Sequence, residues 1–207
     1  MRKVTGTLCI ILGILCLLAS VGFVFYNRME EVSAETSSQT MLHTVQEKIA
    51  RKALEAPVPD ATEQPLEEEF VLIEETQEIP AVNLDGYDCI GILSLPALGL
   101  ELPVLSNWSY AKLKIAPCQY YGSCYDTDFV IAAHNYRSHF GRLSELRPQD
   151  LILFTDANGD VFCYEVVLTE TLPPTATKEM ITSGFDLSLY TCTPGGGSRV
   201  TVRCRKI

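Results

Sequence analysis

Residues 4–26 (VTGTLCIILGILCLLASVGFVFY) carry no charge, with Arg2 and Lys3 ahead of them and Arg28 behind. As a helix rising ~1.5 Å per residue this run spans ~34 Å, enough for a hydrocarbon core of about 30 Å. A signal peptide would have a shorter apolar region of about 7–15 residues and a cleavage site close behind it. The small-residue pair Val32-x-Ala34 lies further on, past Arg28, Glu30 and Glu31. The pattern therefore predicts an uncleaved membrane anchor over residues 1–27. Basic residues precede the span and two glutamates follow Arg28, so the positive-inside bias predicts a single-pass type II protein of the cell membrane. Everything after residue 27 is then extracellular.

Residues 28–87 have a different texture, with Pro57, Pro59, Pro65 and Pro80, the run Glu67, Glu68 and Glu69, and no glycine before Gly86. That composition predicts an extended, acidic extracellular spacer without a core of its own. Residues 41–56 are an exception, because Leu42, Val45, Ile49 and Leu54 fall near helical spacing among strong helix formers. Two readings stay open there, a helix leaning on the domain or the membrane surface and a solvated helical spacer; the second is the simpler expectation.

From residue 88 onward short apolar runs alternate with Gly, Pro, Asn and Asp. The candidate strands are 89–95, 100–105, 129–134, 151–155, 161–169, 187–192 and 199–205, with Asp156-Ala-Asn-Gly159 as a hairpin turn. Regular short strands with no long helix predict a mostly-β domain over residues 88–207, a barrel or sandwich. Asn107 is placed to cap a short helix through Leu113, and residues 142–146 to form a helical turn.

Charge sharpens this division. The 207 residues carry a net charge of −10; residues 27–87 hold 14 acidic and 4 basic side chains, and residues 88–207 hold 12 and 10. The acidity belongs to the spacer, and a domain this close to neutral has no basic surface for nucleic acid.

Only three histidines occur, and His43 lies in the spacer, so a catalytic base in the domain must be His134 or His139. His134 ends an apolar run where a strand meets a loop, a place from which a rigid support presents reactive side chains. The runs DLSLYTC and RVTVRC, joined by residues 193–198, predict an antiparallel hairpin. Pairing Cys192 with Arg199 sets Leu189 against Val202 and Leu187 against Cys204 on the core face. Alternation then sends Cys192, Tyr190, Arg199, Thr201 and Arg203 to a polar face. A thiol beside a guanidinium has its nucleophilic thiolate favoured, and the guanidinium can donate to a developing oxyanion. Cys192, His134 and Arg199 together have the parts for acyl transfer through a thioester.

These residues also carry a resemblance. Leu189-Tyr-Thr-Cys192 resembles the Leu-x-Thr-Cys signature of sortases, the Gram-positive surface transpeptidases. Phe129-Val-Ile-Ala-Ala-His-Asn135 resembles the strand bearing the sortase histidine, His139-Phe-Gly-x-Leu143 and Asp150-Leu-Ile the stretch after it, and Arg199-Val-x-Val-Arg203 the last strand. The resemblance covers residues 88–207 in order. It implies a closed eight-stranded sortase-like β-barrel with short helices, Cys192 as nucleophile, His134 as acid/base and Arg199 as oxyanion and positioning residue. Thr191, Tyr190 and Asn135 would meet the substrate, with no cofactor and no metal. The implied partners are surface proteins with a C-terminal LPxTG-like sorting signal and an amine of a peptidoglycan precursor or other acceptor. Ala133 stands where glycine often precedes the histidine. The sequence shows neither a second apolar span nor an Asp-Pro-aromatic lid signal, so the expectation is wall anchoring and not pilin polymerisation. The alternatives are a tethered β-domain that binds extracellular peptide or wall polymer with Cys192 inert, and a cysteine protease that releases peptides to water.

Cys118 and Cys124 suit a disulfide or two free thiols better than a metal knuckle. Asp126, Asp128, Asp156 and Asp160 match no calcium loop and are expected in turns. Tyr120, Tyr121 and Tyr136 are placed to pack or to line a groove.

Overall fold

The apolar runs after residue 80 pair into one sheet that closes on itself. The structure, a computed structural model, describes residues 2–55 and 79–207. Its strands are β1 (Val82–Leu84), β2 (Tyr87–Leu95), β3 (Leu100–Leu105), β4 (Cys118–Tyr121), β5 (Phe129–Ala132), β6 (Leu151–Asp156), β7 (Val161–Leu172), β8 (Leu187–Cys192) and β9 (Arg199–Lys206). The order is β2-β3-β4-β5-β8-β9-β7-β6, and β2 pairs with β6 to close an eight-stranded barrel, with β1 added along the start of β2. Closure depends on Gly91, which pairs with Asp156. A Cβ there would lie 2.2 Å from the carbonyl oxygen of Thr155, so only glycine lets the strands meet. Leu93, Phe129, Ile131, Phe154, Leu189 and Val202 fill the interior with no exposed surface, each worth about 1.5–3 kcal/mol of burial.

The sequence places seven of these strands. It misses β1 and β4, the latter because its four residues pair with β3 at a single position, Leu105 with Cys118, and carry no clear alternation. Short helices decorate the barrel as expected. The first, α2 (Tyr110–Leu113), is capped by Ser109, whose Oγ accepts from the N–H of Lys112 at 3.2 Å, and not by Asn107. A second, α3 (Thr177–Ile181), follows β7.

The largest difference from expectation is the spacer. One helix, α1 (Arg2–Glu55), runs unbroken through the apolar span and on to residue 55. The prolines that argue for an extended segment all lie at 57 and beyond, and neither glycine nor proline occurs from residue 23 to 56, so nothing there interrupts a helix. From residue 10 on the side chains of the span point outward, Leu17 at 68% and Phe25 at 66% exposure, and the helix is long and apolar enough to cross a membrane. Further along, Ala34, Ser38, Leu42 and Val45 are buried at helical spacing. Leu42 and Val45 pack with Leu84, Cys89, Ile92, Leu105 and Cys118 in a second core outside the barrel. Lys48 Nζ donates to the carbonyl of Asn83 at 2.8 Å and Lys52 Nζ to Asn158 Oδ1 at 2.6 Å. Residues 28–55 are thus a helix docked on the barrel, and Leu54, at 87% exposure, is the one member of the expected stripe that faces away. The acidic run at 67–69 lies outside the described residues.

Candidate active site

The β8–β9 hairpin has the register that alternation predicts: Cys192 pairs with Arg199, Leu189 with Val202 and Leu187 with Cys204. Its mouth is held shut. Thr193 donates its N–H to the carbonyl of Ser198 at 3.0 Å, Ser198 donates its N–H to Thr193 Oγ1 at 3.1 Å, and Gly195 and Gly196 take φ of 83° and 73° in between. Cys192 and Arg199 are therefore presented side by side on a short, closed turn.

The histidine arrives from the neighbouring strand. β5 lies parallel to β8 with Ala132 opposite Tyr190. The N–H of Ala133 donates to the carbonyl of Tyr190 at 3.2 Å, and Thr191 Oγ1 donates to the carbonyl of Ala133 at 2.9 Å. The same offset puts His134 at the position of Cys192, just past the last ladder bond. Thr191 is 3% exposed and its hydroxyl is engaged inside. It ties the two strand ends together, and Thr191 is not among the residues that line the cleft.

Asn135 contacts the imidazole. Its backbone N–H donates to His134 Nδ1 at 3.1 Å, and its side-chain Oδ1 lies 3.1 Å from the same nitrogen. Nδ1 thus has an acceptor in Oδ1 when it carries a proton and a donor in the Asn135 N–H when it does not. Tyr136 stacks on the other side of His134, ring centroids 4.2 Å apart and planes 5° from parallel.

Two contrasts isolate this set. His139 is fully buried and, among the described residues, neither ring nitrogen has a hydrogen-bond partner. Burial, and secondarily the charge of His134, pushes its pKa down to about 4, whereas His134 is only half-buried. Among the barrel cysteines, Cys89, Cys118, Cys124 and Cys204 are buried free thiols, and burial pushes their pKa up to about 11 or 12. Cys163 is half-buried, and Cys192 alone among them is exposed.

Cys192 and Arg199 open into a cleft of about 130 Å³ with Tyr190, Tyr120, Trp108 and Met180 in its walls. Tyr190 packs edge-on against Tyr120, centroids 5.3 Å apart, and Tyr120 against Trp108 at 5.6 Å. Trp108 and Met180 are not legible as site residues in the sequence; the only signal is that Trp108 is the one tryptophan. A larger cavity of about 650 Å³ lies across β4, lined by Ile79, Asp88, Gln119 and Tyr121, and contains none of the candidate residues. Asp128 and Asp156 serve turns as expected: Asp128 Oδ1 accepts the N–H groups of Ser183 and Gly184 at 2.7 and 2.9 Å, and Asp156 Oδ1 those of Asn158 and Asp160 at 2.8 and 2.9 Å. Among the described residues no three His, Cys, Asp or Glu side chains gather as a metal site.

The Sortase domain family matches residues 93–207, more than half of the chain. The chain belongs to the sortase family. Sortases are cysteine transpeptidases, and this chain is an enzyme of that kind. Sortase C from Streptococcus pneumoniae superimposes with a TM-score of 0.53 at 22% identity over 80% of this chain and 93% of that one. Sortase C1 from Streptococcus agalactiae gives 0.53 at 24% over 60% and 70%, and sortase C-1 from Actinomyces oris 0.50 at 21% over 56% and 72%. At these identities the likeness is one of fold. No curated protein sequence matches the chain.

Proposed function

We propose that this sortase is held in the cell membrane by the apolar half of α1, with the barrel outside, and that it joins surface proteins to an amine of the cell wall. The observation that carries the reading is the pairing of an exposed Cys192 with Arg199 at the hairpin mouth, with His134 at the matching position of the adjoining strand.

In the proposed reaction the Cys192 thiolate attacks the carbonyl carbon of the threonine in an LPxTG-like signal. Arg199 donates hydrogen bonds to the oxygen as charge develops on it. The carbon–nitrogen bond breaks, His134 gives the Nε2 proton to the leaving amine, and the product stays as a thioester on Sγ. The acceptor amine then attacks the thioester and gives its proton back to His134; the carbon–sulfur bond breaks and the thiolate is restored. Asn135 Oδ1 fits both half-reactions, since it can accept from Nδ1–H in the imidazolium and in the neutral ring that remains once the Nε2 proton has left. The aromatic walls of the cleft suit the apolar residues ahead of the threonine.

The test is to incubate the full chain in detergent micelles with a set of sorting-signal pentapeptides and with wall-type and lysine-type amines, reading products by mass. A product joined to a wall-type amine supports the reading. Joining to lysine alone indicates pilin-type chemistry, and release to water with every amine indicates a protease.

A further inference from the structure

The anchor helix and the loop that carries His134 touch. Directly after the apolar span, the first acidic turn of α1 engages two barrel segments: Glu30 pairs with Lys114, and Glu31 Oε1 accepts the backbone N–H of Arg137 at 2.9 Å. Glu31 Oε2 accepts from Arg28 at 3.3 Å, and the Glu31 side chain is only 20% exposed. Between Arg137 and His134 stands Tyr136, whose ring lies flat on the imidazole. The loop is braced within itself, because the Tyr136 carbonyl accepts the N–H groups of His139 and Gly141 at 2.9 and 2.8 Å, and the His134 carbonyl accepts that of Phe140 at 3.2 Å. Among the described residues, the bond from Arg137 to Glu31 is the hydrogen bond that ties residues 135–139 to anything outside the loop.

We propose that Glu31 and Tyr136 are positioning residues, through which the membrane-exit turn of α1 sets the orientation of the His134 ring. This rests on the reading of His134 as the acid/base. The anchor is then a working part of the active site as well as a tether, and Glu31 fixes the loop one turn beyond the apolar span. Stacking serves the chemistry directly: a phenol face flat against an imidazolium stabilises the charged ring that must protonate the leaving amine. The phenol stays neutral, since burial and then the charge of Glu30 raise its pKa. The charged and titratable groups facing this pair are Glu30, Glu31, Lys114 and Tyr26 around Tyr136, and His139 beside it.

The experiment uses the full chain in detergent micelles, with kcat, KM and the pH profile of kcat measured for four variants. Glu31→Ala removes the acceptor and Tyr136→Leu removes the stacked ring. Glu31→Gln keeps an oxygen acceptor and Tyr136→Phe keeps the ring. Misplacing a catalytic group by about 1 Å costs on the order of 10²-fold, so a loosened loop should cost roughly tenfold in kcat with KM within about twofold. The two conservative variants should stay within about twofold of the parent in kcat. In Tyr136→Leu the pH limb that reports the histidine should move down, because the imidazolium has lost its partner. Thermal melts check that each variant is folded, and if Glu31→Ala is not, Tyr136→Leu decides. Parent-like kcat and pH profile in Tyr136→Leu, or in a folded Glu31→Ala, would overturn the proposal. His134→Ala separates the two levels: if it turns over, the acid/base reading fails on its own, and if it is dead while these variants match the parent, only the positioning role fails.

Discussion

Arg203 Nε donates to Glu170 Oε1 at 2.8 Å from a side chain that is itself 3% exposed, which ties β9 to β7 on the outer face of the barrel. The same guanidinium donates from Nη1 to Ser188 Oγ and from Nη2 to the carbonyl of Glu179, both at 2.8 Å. Glu179 belongs to α3, the helix that places Met180 in the cleft wall. Alternation puts Arg203 on the face that carries Cys192, but the register cannot show that α3 and β7 cover that face at this point.

Arg203→Ala should therefore destabilise the fold, by about 2–3 kcal/mol, because Ser188 and the Glu179 carbonyl lose a charged donor while Glu170 turns to water. Urea unfolding followed by circular dichroism measures this. A variant as stable as the parent would mean that the guanidinium is dispensable to the packing of α3.

Docking of α1 predicts a second stability effect. Leu42 is 6% exposed and packs on a core shared with β1, β2 and β3. Leu42→Ala should cost about 2–4 kcal/mol, the range for a large-to-small change in a packed core, whereas Leu54→Ala, on the exposed side, should leave the melting temperature unchanged. Equal melting curves for the two would show that the helix does not contribute to the fold.

These cases show what was legible in the sequence. Strand alternation fixed the hairpin down to the pairs Cys192–Arg199 and Leu189–Val202, because a one-residue slip would turn Leu187 and Leu189 out of the core. Helical spacing over Leu42, Val45 and Ile49 was legible too, yet it could not say whether a surface was there to receive those side chains. Averaging residues 28–87 hid a continuous helix, since the prolines that set the average lie only at its far end. Thr191 and Asn135 were found by adjacency to the chemistry, but which atoms they serve depends on how β5 meets β8. Trp108 and Met180 reach the cleft from separate loops, a convergence with no sequence period.

His139 makes stability depend on pH. Its folded pKa is depressed to about 4, below the ordinary value near 6.5 that the unfolded chain retains. Between those values the unfolded chain takes up a proton that the folded protein does not, so the contribution is complete above pH 6.5 and is lost as the pH falls towards 4. The loss amounts to about 3 kcal/mol at most. His139→Leu, which cannot titrate and leaves no unpaired ring nitrogen, should lose less stability than the parent over that interval. Parallel stability curves for the two proteins from pH 7 to pH 4 would contradict this assignment.

The roles at the hairpin mouth predict a graded loss of turnover. Cys192→Ala should abolish the thioester, seen as the absence of the acyl mass shift when the enzyme is quenched in acid with peptide. It should leave the melting temperature unchanged, since the thiol is exposed. Arg199→Lys is the sharper test because it keeps the charge. Arg199 lines the cleft beside Cys192 and is only weakly held, Nη1 lying 3.4 Å from the Ser198 carbonyl, so its donors are free to turn to a substrate. A guanidinium offers a planar fork to the substrate carbonyl and the developing oxyanion, whereas an ammonium is a compact point charge that cannot reproduce both contacts. Loss of one oxyanion donor costs ~10²–10³ in rate, and Arg199→Lys should fall by about that factor in kcat. Arg205→Lys, at the far end of β9, should not. An active Arg199→Lys enzyme would leave charge alone as the requirement and remove the oxyanion role from this residue.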